Sequence, residues 1–185
     1  MSGTWQNSDN GYDKGGLFST GRLQTPSNVT RIARAIKPYH DDPGTGIAKN
    51  QIVYYQAGVG TRGTWDKIAG GATGEGLSEH IREAYGFLAN NYQAPDPENE
   101  GDEIFLIGFS RGAFTARSVG GLIGQIGILT KKGMGNFYNI FKDYEKSWDS
   151  DWEKDYMQRW PERPFDHPVN IRNKDEYAKK LEQVG

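Results

Sequence analysis

The sequence predicts an α/β fold, and the order of its periodic segments is the first reason. Helix, strand, helix, strand and helix signals follow one another at residues 28–36, 51–56, 77–92, 103–107 and 113–126. Helices that alternate with short apolar strands are typical of a parallel sheet covered by helices. The uninterrupted apolar run Ile104–Ile107 is the second reason, because strands of a parallel sheet are buried on both faces.

The helices and loops are predicted from spacing and from breakers. Val29, Ile32 and Ile36 lie on one helical face, and Pro38 ends that run. The polar residues 1–26 and 39–50 contain many turn-forming residues and are predicted as loops.

The last third of the chain differs in composition, because aromatic and charged residues dominate after Lys131. This part is predicted to be a helical C-terminal segment that packs in the core or forms a lid. Three prolines interrupt it at positions 161, 164 and 168, and residues 173–183 are predicted as a marginal helix.

Composition limits the possible functions. The chain of 185 residues is long enough for one domain with a core, and its formal net charge of −2 gives no reason to expect a nucleic acid or an anionic membrane as partner. It has no cysteine, which excludes thiolate metal sites, and no histidine spacing suggests a metal. We expect no cofactor, no transmembrane segment and no signal peptide, which favours the cytoplasm over secretion.

The motif that carries chemistry is Gly108-Phe109-Ser110-Arg111-Gly112, between a predicted strand and a predicted helix. In such a turn a serine is raised above the sheet as a nucleophile, and glycines remove Cβ atoms that would collide. The backbone N–H of Arg111 is the expected oxyanion donor, at the start of the helix. The alternative interpretation is an ordinary glycine-rich turn between a strand and a helix.

Two other patterns could carry chemistry. The stretch 58–63 matches a dinucleotide-binding fingerprint, but no helix is predicted to begin there and no acidic strand end follows. His167 is the only histidine after Ser110, as the chain order of an α/β-hydrolase triad requires. It could act as a base with Asp143, Asp149 or Asp166, although a simple loop position is the preferred interpretation.

Several segments in a fixed order closely resemble one α/β-hydrolase family, typified by the catalytic domain of type VI secretion phospholipase effectors. They are Gly3-Thr4-Trp5-Gln6-Asn7, Pro26-Ser27-Asn28-Val29, Tyr54–Thr61, Ala84–Leu88 and Gly101–Arg117. The resemblance covers about residues 3–148 and implies a three-layer fold with a few parallel strands flanked by helices. It also implies an esterase or phospholipase that acts on a small-molecule or lipid ester. Gly3 and Thr4 are then candidates for the second oxyanion donor.

The sequence also departs from this family. Ser2 stands where the family has an aspartate, and neither the first strand nor the acid and histidine segments are recognised. We therefore expect a fragment with little activity, in which residues 1–148 form a partial hydrolase domain. Residues 149–185 would be an irregular or helical extension, a lid or a poorly ordered segment. The alternative function is a non-catalytic binding module that keeps the turn at Ser110 as a scaffold.

Overall fold

The structure of the protein is a computed structural model. It describes residues 12–13, 22–23, 26–44, 46–57, 75–147, 150–151, 154, 158, 164–165 and 169–184. The chain divides into two compact units, of which the first comprises residues 1–80 and 105–117, and the second comprises residues 81–104 and 118–185. The expected boundary at residue 148 stays a prediction.

Helices and short antiparallel strands make up the regular structure of the described residues. The strands are β1 (Tyr12–Asp13), β2 (Arg22–Leu23), β3 (Tyr39–Asp41) and β4 (Ala48–Asn50). The helices are α1 (Asn28–Ala35), α2 (Glu75–Asn91), α3 (Arg111–Ile126), α4 (Phe137–Lys146) and α5 (Lys174–Val184), with a 3₁₀ turn at Gly133–Asn136 before α4. This confirms a mixed fold of helices and strands and the positions expected for the first three helices.

Helix α1 begins where the sequence predicts because Ser27 caps it. The Ser27 side chain accepts a hydrogen bond from the Thr30 backbone N–H at 3.0 Å, which satisfies one of the amides that a helix start leaves unpaired. The Thr30 hydroxyl, itself buried, also lies 2.9 Å from the Tyr55 hydroxyl. The Ser27 and Thr30 hydroxyls also lie 2.9 Å apart, so a partly buried chain of hydroxyls joins the start of α1 to the segment at 51–57.

The predicted loops contain two strand pairs. Strand β1 pairs with β2, and β3 pairs with β4 in the register Tyr39–Asn50, His40–Lys49 and Asp41–Ala48. Both pairs are antiparallel, so the expected parallel arrangement is wrong for the described strands. The hairpin of β3 and β4 is exposed along its length, and such a surface pattern carries no hydrophobic alternation from which a strand could be predicted.

The strands predicted at 51–56 and 103–107 are also wrong for this chain. Neither segment forms a strand in the structure, and their apolar side chains reach solvent, with Phe105 78% exposed. A strand depends on hydrogen bonds to a neighbouring strand, and no described strand runs beside either segment. Local apolar character therefore did not produce the buried sheet that it usually indicates.

The second unit has a helical core built around aromatic rings. Tyr85 is completely buried and stacks on Phe137 with 4.6 Å between ring centroids. The Tyr85 hydroxyl donates a hydrogen bond to the Gly127 carbonyl at 2.9 Å and accepts one from the Leu129 N–H at 3.0 Å. Gly127 has a φ of +71° and follows the end of α3, so Tyr85 fixes the loop that leaves this helix.

The C-terminal helix α5 is part of the same core. Tyr177 is completely buried and donates a hydrogen bond to Oδ2 of the buried Asp143 at 2.9 Å. Phe165 packs edge-on against the Tyr177 ring at 5.1 Å. The Gln125 side chain donates to the Ile171 carbonyl, which joins α3 to the segment before α5. The marginal helix predicted at 173–183 is thus confirmed, and tertiary packing supplies the stability that its sequence lacks.

We predict that Tyr85→Phe lowers the free energy of unfolding by about 1–3 kcal/mol, because the Leu129 N–H and the Gly127 carbonyl lose a buried partner. Burial raises the pKa of Tyr85 from 10.0 to about 12. An unfolded tyrosine ionises near its ordinary pKa, so the stabilising contribution is present below pH ~10 and is lost as the pH rises towards ~12. Urea denaturation between pH ~10 and ~12 should show that the free energy of unfolding falls less steeply with pH in Tyr85→Phe than in the wild type. Tyr138→Phe, which changes an exposed ring, should keep the wild-type slope.

Candidate functional site

The backbone of Ser110 adopts a left-handed conformation that residues other than glycine rarely adopt. Its φ is +54°, and among the described residues it is the only non-glycine residue with a positive φ. A left-handed conformation costs an L-residue roughly 1–2 kcal/mol, so the surrounding turn must hold Ser110 in place. A nucleophile elbow has this geometry, with a strained serine between an apolar segment and a helix.

Gly108 makes this turn possible by a close approach of the backbone. A Cβ atom at position 108 would lie 2.3 Å from the Gly112 carbonyl oxygen and 2.6 Å from the Ala113 nitrogen. Both neighbours are backbone atoms and cannot move aside as a flexible side chain could. The glycine expected from the motif is therefore required by the structure at this position.

Helix α3 begins directly after the serine. The Ser110 carbonyl accepts hydrogen bonds from the Ala113 N–H at 3.0 Å and the Phe114 N–H at 3.3 Å. The Arg111 and Gly112 amides precede these bonds, in the helical turn where N–H groups have no intrahelical acceptor. The helix has no acidic residue in its first turn, so no carboxylate of that turn competes for its positive end. Desolvation lowers the pKa of the Arg111 guanidinium from its ordinary value.

The Ser110 side chain is exposed. Phe109 precedes it and Phe114 lies four residues after it in the chain, and these rings are 60% and 57% exposed. Within the described residues the Ser110 hydroxyl has no hydrogen-bond partner. A small molecule could therefore reach the hydroxyl, but no described side chain is bonded to it as a base.

The other predicted site residues fall into two groups. Gly3, Thr4, His167 and the glycine-rich loop at 58–63 lie outside the described residues, as do the candidate acids Asp149 and Asp166. His40 and His80 are described: His40 lies on the exposed strand β3, and the His80 carbonyl accepts a hydrogen bond from the Gln56 side chain. Asp143 is buried and bonded to Tyr177. This buried hydrogen bond gives Asp143 a structural role, which the sequence pattern did not predict.

Metal-binding clusters and membrane-spanning helices are both missing from the described part of the chain. It contains no group of three or more His, Cys, Asp or Glu side chains placed to bind a metal ion. None of the helices described here combines the length and apolar character that crossing a bilayer requires.

We predict that Ser110→Gly stabilises the protein. Glycine relieves about 1–2 kcal/mol of left-handed strain and adds unfolded-chain entropy worth about 0.5–1 kcal/mol, so a net gain of about 0.5–1 kcal/mol is expected. Thermal denaturation measures it. The matched control is Ser118→Gly inside α3, which should lose about 0.5 kcal/mol. A lower stability for Ser110→Gly would show that Ser110 is not strained.

Comparison with known sequences identifies the family. Residues 1–185 match the family described as T6SS, Phospholipase effector Tle1-like, catalytic domain. Uncharacterized protein YEL023C of Saccharomyces cerevisiae is 33% identical over 100 residues, which cover 46% of this chain and 14% of the yeast protein. No solved structure matches the chain. Because the family match covers all residues, the chain belongs to the T6SS phospholipase effector Tle1-like catalytic domain family.

Proposed function

We propose that Ser110 is the nucleophile of a hydrolase that cleaves carboxylic or phospholipid acyl esters. The observation that carries the proposal is the φ of +54° at Ser110, on a turn that only glycine at position 108 permits. The family assignment points to the same chemistry, since its members are described as phospholipase effectors. A turn without a chemical role would not retain strain on an exposed serine when glycine could relieve it.

The proposed reaction is an acyl transfer. Ser110 Oγ attacks the ester carbonyl while its proton passes to water, and the negative charge that develops on the carbonyl oxygen meets the positive end of α3. The tetrahedral intermediate then expels the alcohol, which takes up a proton, and water hydrolyses the acyl-serine to release the acid and restore Ser110. The backbone N–H groups of Arg111 and Gly112 would hold this oxyanion, and a donor of this kind typically contributes ~3–4 kcal/mol to the transition state. Gly3 or Thr4 would supply a further donor from outside α3, as the family resemblance implies. The sequence motif points to the Arg111 amide as donor. The Gly112 amide is a second candidate, because it also lies in the first turn of α3.

The proposed fold is that of an α/β-hydrolase, in which the apolar residues 103–107, which form no strand in the structure, lead into the turn at Ser110. The apolar run and its exposed side chains support this, because they have the composition of a strand that neighbouring strands would cover. Such a sheet would require strands in addition to the described ones. The 185 residues would accordingly represent part of the hydrolase fold.

We further propose that these 185 residues turn over esters slowly. A serine hydroxyl needs an adjacent base to become a good nucleophile, and no described residue is hydrogen-bonded to Ser110 Oγ. In the serine protease subtilisin, losing the histidine alone costs a factor of about 10⁶ in kcat. Slow turnover follows if the base is not placed beside Ser110.

Release of p-nitrophenol from p-nitrophenyl butyrate tests both parts of the proposal. We expect slow release by the wild-type chain, and Ser110→Ala should reduce it to the uncatalysed rate. Ser118→Ala, which changes a serine within α3, should leave it unchanged. Equal release by wild type and Ser110→Ala would contradict a nucleophilic role and favour a non-catalytic binding module. A kcat within the usual enzyme range of ~1–10³ s⁻¹ would instead contradict slow turnover only.

A further inference from the structure

Arg82 of α2 lies against two aromatic rings of α4 in the second unit. Its guanidinium carbon is 5.4 Å from the centroid of the Tyr138 ring and 5.9 Å from the centroid of the Phe141 ring. Phe141 is buried, whereas Tyr138 is exposed. The stacked rings of Tyr85 and Phe137 join the same two helices, so Arg82 is held where the core of this unit meets solvent.

The polar atoms of Arg82 have no acceptor within the described part of the chain. The guanidinium forms no hydrogen bond and no ion pair there, and its Nε atom is buried. A guanidinium carries five N–H donors, and an aromatic ring attracts its charge without offering these donors an oxygen atom. A buried donor of a charged group that lacks an acceptor is costly to the fold. Arg82 therefore retains donors for a ligand that brings oxygen atoms.

A second cation lies beside the same exposed ring. Lys142 Nζ is 5.8 Å from the Tyr138 ring centroid and 2.8 Å from Glu145 Oε2. Glu145 offsets the charge of Lys142, whereas no described carboxylate pairs with Arg82. The Tyr138 hydroxyl also forms no hydrogen bond with a described residue. A guanidinium, an ammonium and a hydroxyl group thus lie around one ring, and their local charge is positive.

We propose that Arg82, Tyr138 and Lys142 bind a phosphate group, as free phosphate or as a phosphate monoester in solution. The Arg82 guanidinium would donate two parallel hydrogen bonds, which match the spacing of two phosphate oxygens. The Tyr138 hydroxyl and the Lys142 ammonium would donate to the remaining oxygens. A carboxylate fits less well, because Arg82 alone would occupy both of its oxygens. The site goes beyond the proposed ester cleavage, since its three residues belong to the second unit and Ser110 to the first.

Isothermal titration calorimetry of the full chain with sodium phosphate tests the proposal, with the ionic strength held constant by sodium chloride. We expect saturable binding with a Kd on the order of 1 mM. Phosphate should also raise the midpoint of thermal unfolding, because it binds the folded state. Titration with phenyl phosphate distinguishes the two sources of the group. Tighter binding of phenyl phosphate would identify a phosphate ester as the ligand, and tighter binding of inorganic phosphate would identify the free ion.

Substitutions then identify the contacts. Arg82→Gln should weaken phosphate binding about tenfold or more, the effect of losing a charged hydrogen bond, and Arg82→Lys should recover only part of this loss because an ammonium lacks the planar fork. Tyr138→Phe keeps the ring and should weaken binding about fivefold. Lys142→Gln should weaken it about fivefold as well, because it also leaves Glu145 without its cation.

Arg172→Gln is the matched control, since it removes an equal charge from an exposed position of the same unit. Salt screens the charge of an exposed arginine more than that of the half-buried Arg82, so we expect an effect of less than about twofold. Circular dichroism of each variant confirms that the helices persist. Tyr138→Phe changes only an exposed hydroxyl and keeps the test decisive if Arg82→Gln unfolds.

Three results would overturn the assignment. No saturable binding by the wild-type chain far above the expected Kd would exclude the site. Equal losses for Arg82→Gln and Arg172→Gln would show that phosphate responds to total charge. Loss of phosphate binding in Ser110→Ala would place the anion at the start of α3 instead. Phosphate binding that persists in Ser110→Ala supports the site even where the nitrophenyl ester assay contradicts the proposed function.

Discussion

Gly108→Ala is expected to destabilise the protein by about 3 kcal/mol or more. The added methyl group would lie 2.3 Å from the Gly112 carbonyl oxygen and 2.5 Å from the Gly112 carbonyl carbon. Overpacking against movable side chains typically costs about 1–3 kcal/mol, and here the obstacle is backbone that also holds Ser110 in its left-handed conformation. Relief of the clash requires the turn to open, which would displace the start of α3.

Gly124→Ala is the matched control for this prediction. Gly124 lies within α3, and a Cβ atom there would meet nothing within 4 Å. Alanine is a better helix former than glycine, so this variant should gain about 0.5–1 kcal/mol. Urea denaturation followed by circular dichroism measures both changes. An unchanged midpoint for Gly108→Ala would mean that the backbone does not approach itself closely at the turn.

The helices could be predicted from sequence because their signals are local. Apolar residues recur at helical spacing in α1 and α2, and Ser27 caps α1 at the start that the sequence predicts. The structure places these helices at the predicted positions. The buried pair of Asp143 and Tyr177 could not be predicted in this way, because it joins residues far apart in the chain.

The strands could not be predicted correctly from local sequence patterns. Residues 103–107 have the composition of a buried strand, yet Phe105 remains largely exposed. Composition reports how readily a segment would pair in a sheet, whereas pairing itself requires a neighbour. The opposite error occurs at β3 and β4, which pair as a hairpin although their sequence has no hydrophobic alternation. A strand prediction is therefore reliable only when its partner is also identified.

The candidate site was partly predictable. The glycines at 108 and 112 imply a tight turn, and the structure shows strain on the serine between them. The exposure of the Ser110 side chain became visible only in the structure, because the sequence does not show which residues of the turn meet solvent. The predicted oxyanion residues Gly3 and Thr4 stay predictions, since they lie outside the described residues.

Replacing Ser110 by alanine is expected to eliminate covalent reaction with an alkyl fluorophosphonate. In the wild-type chain Ser110 Oγ would attack the phosphorus and displace fluoride, leaving a stable phosphonate ester. The reaction should be slow, because no described base is bonded to the hydroxyl. It should still proceed, since the exposed serine lies at the positive end of α3. A single covalent event over hours is detectable even where turnover is not.

The site of that label tests the central claim, that Ser110 is the nucleophile of this domain, more directly than any rate. Mass spectrometry of the intact chain and of its peptides would locate the adduct, with Ser118→Ala as the matched control for a serine within α3. The account predicts one adduct on Ser110 in the wild-type and Ser118→Ala chains and none in Ser110→Ala. An adduct on another residue, or equal labelling of Ser110→Ala, would contradict it.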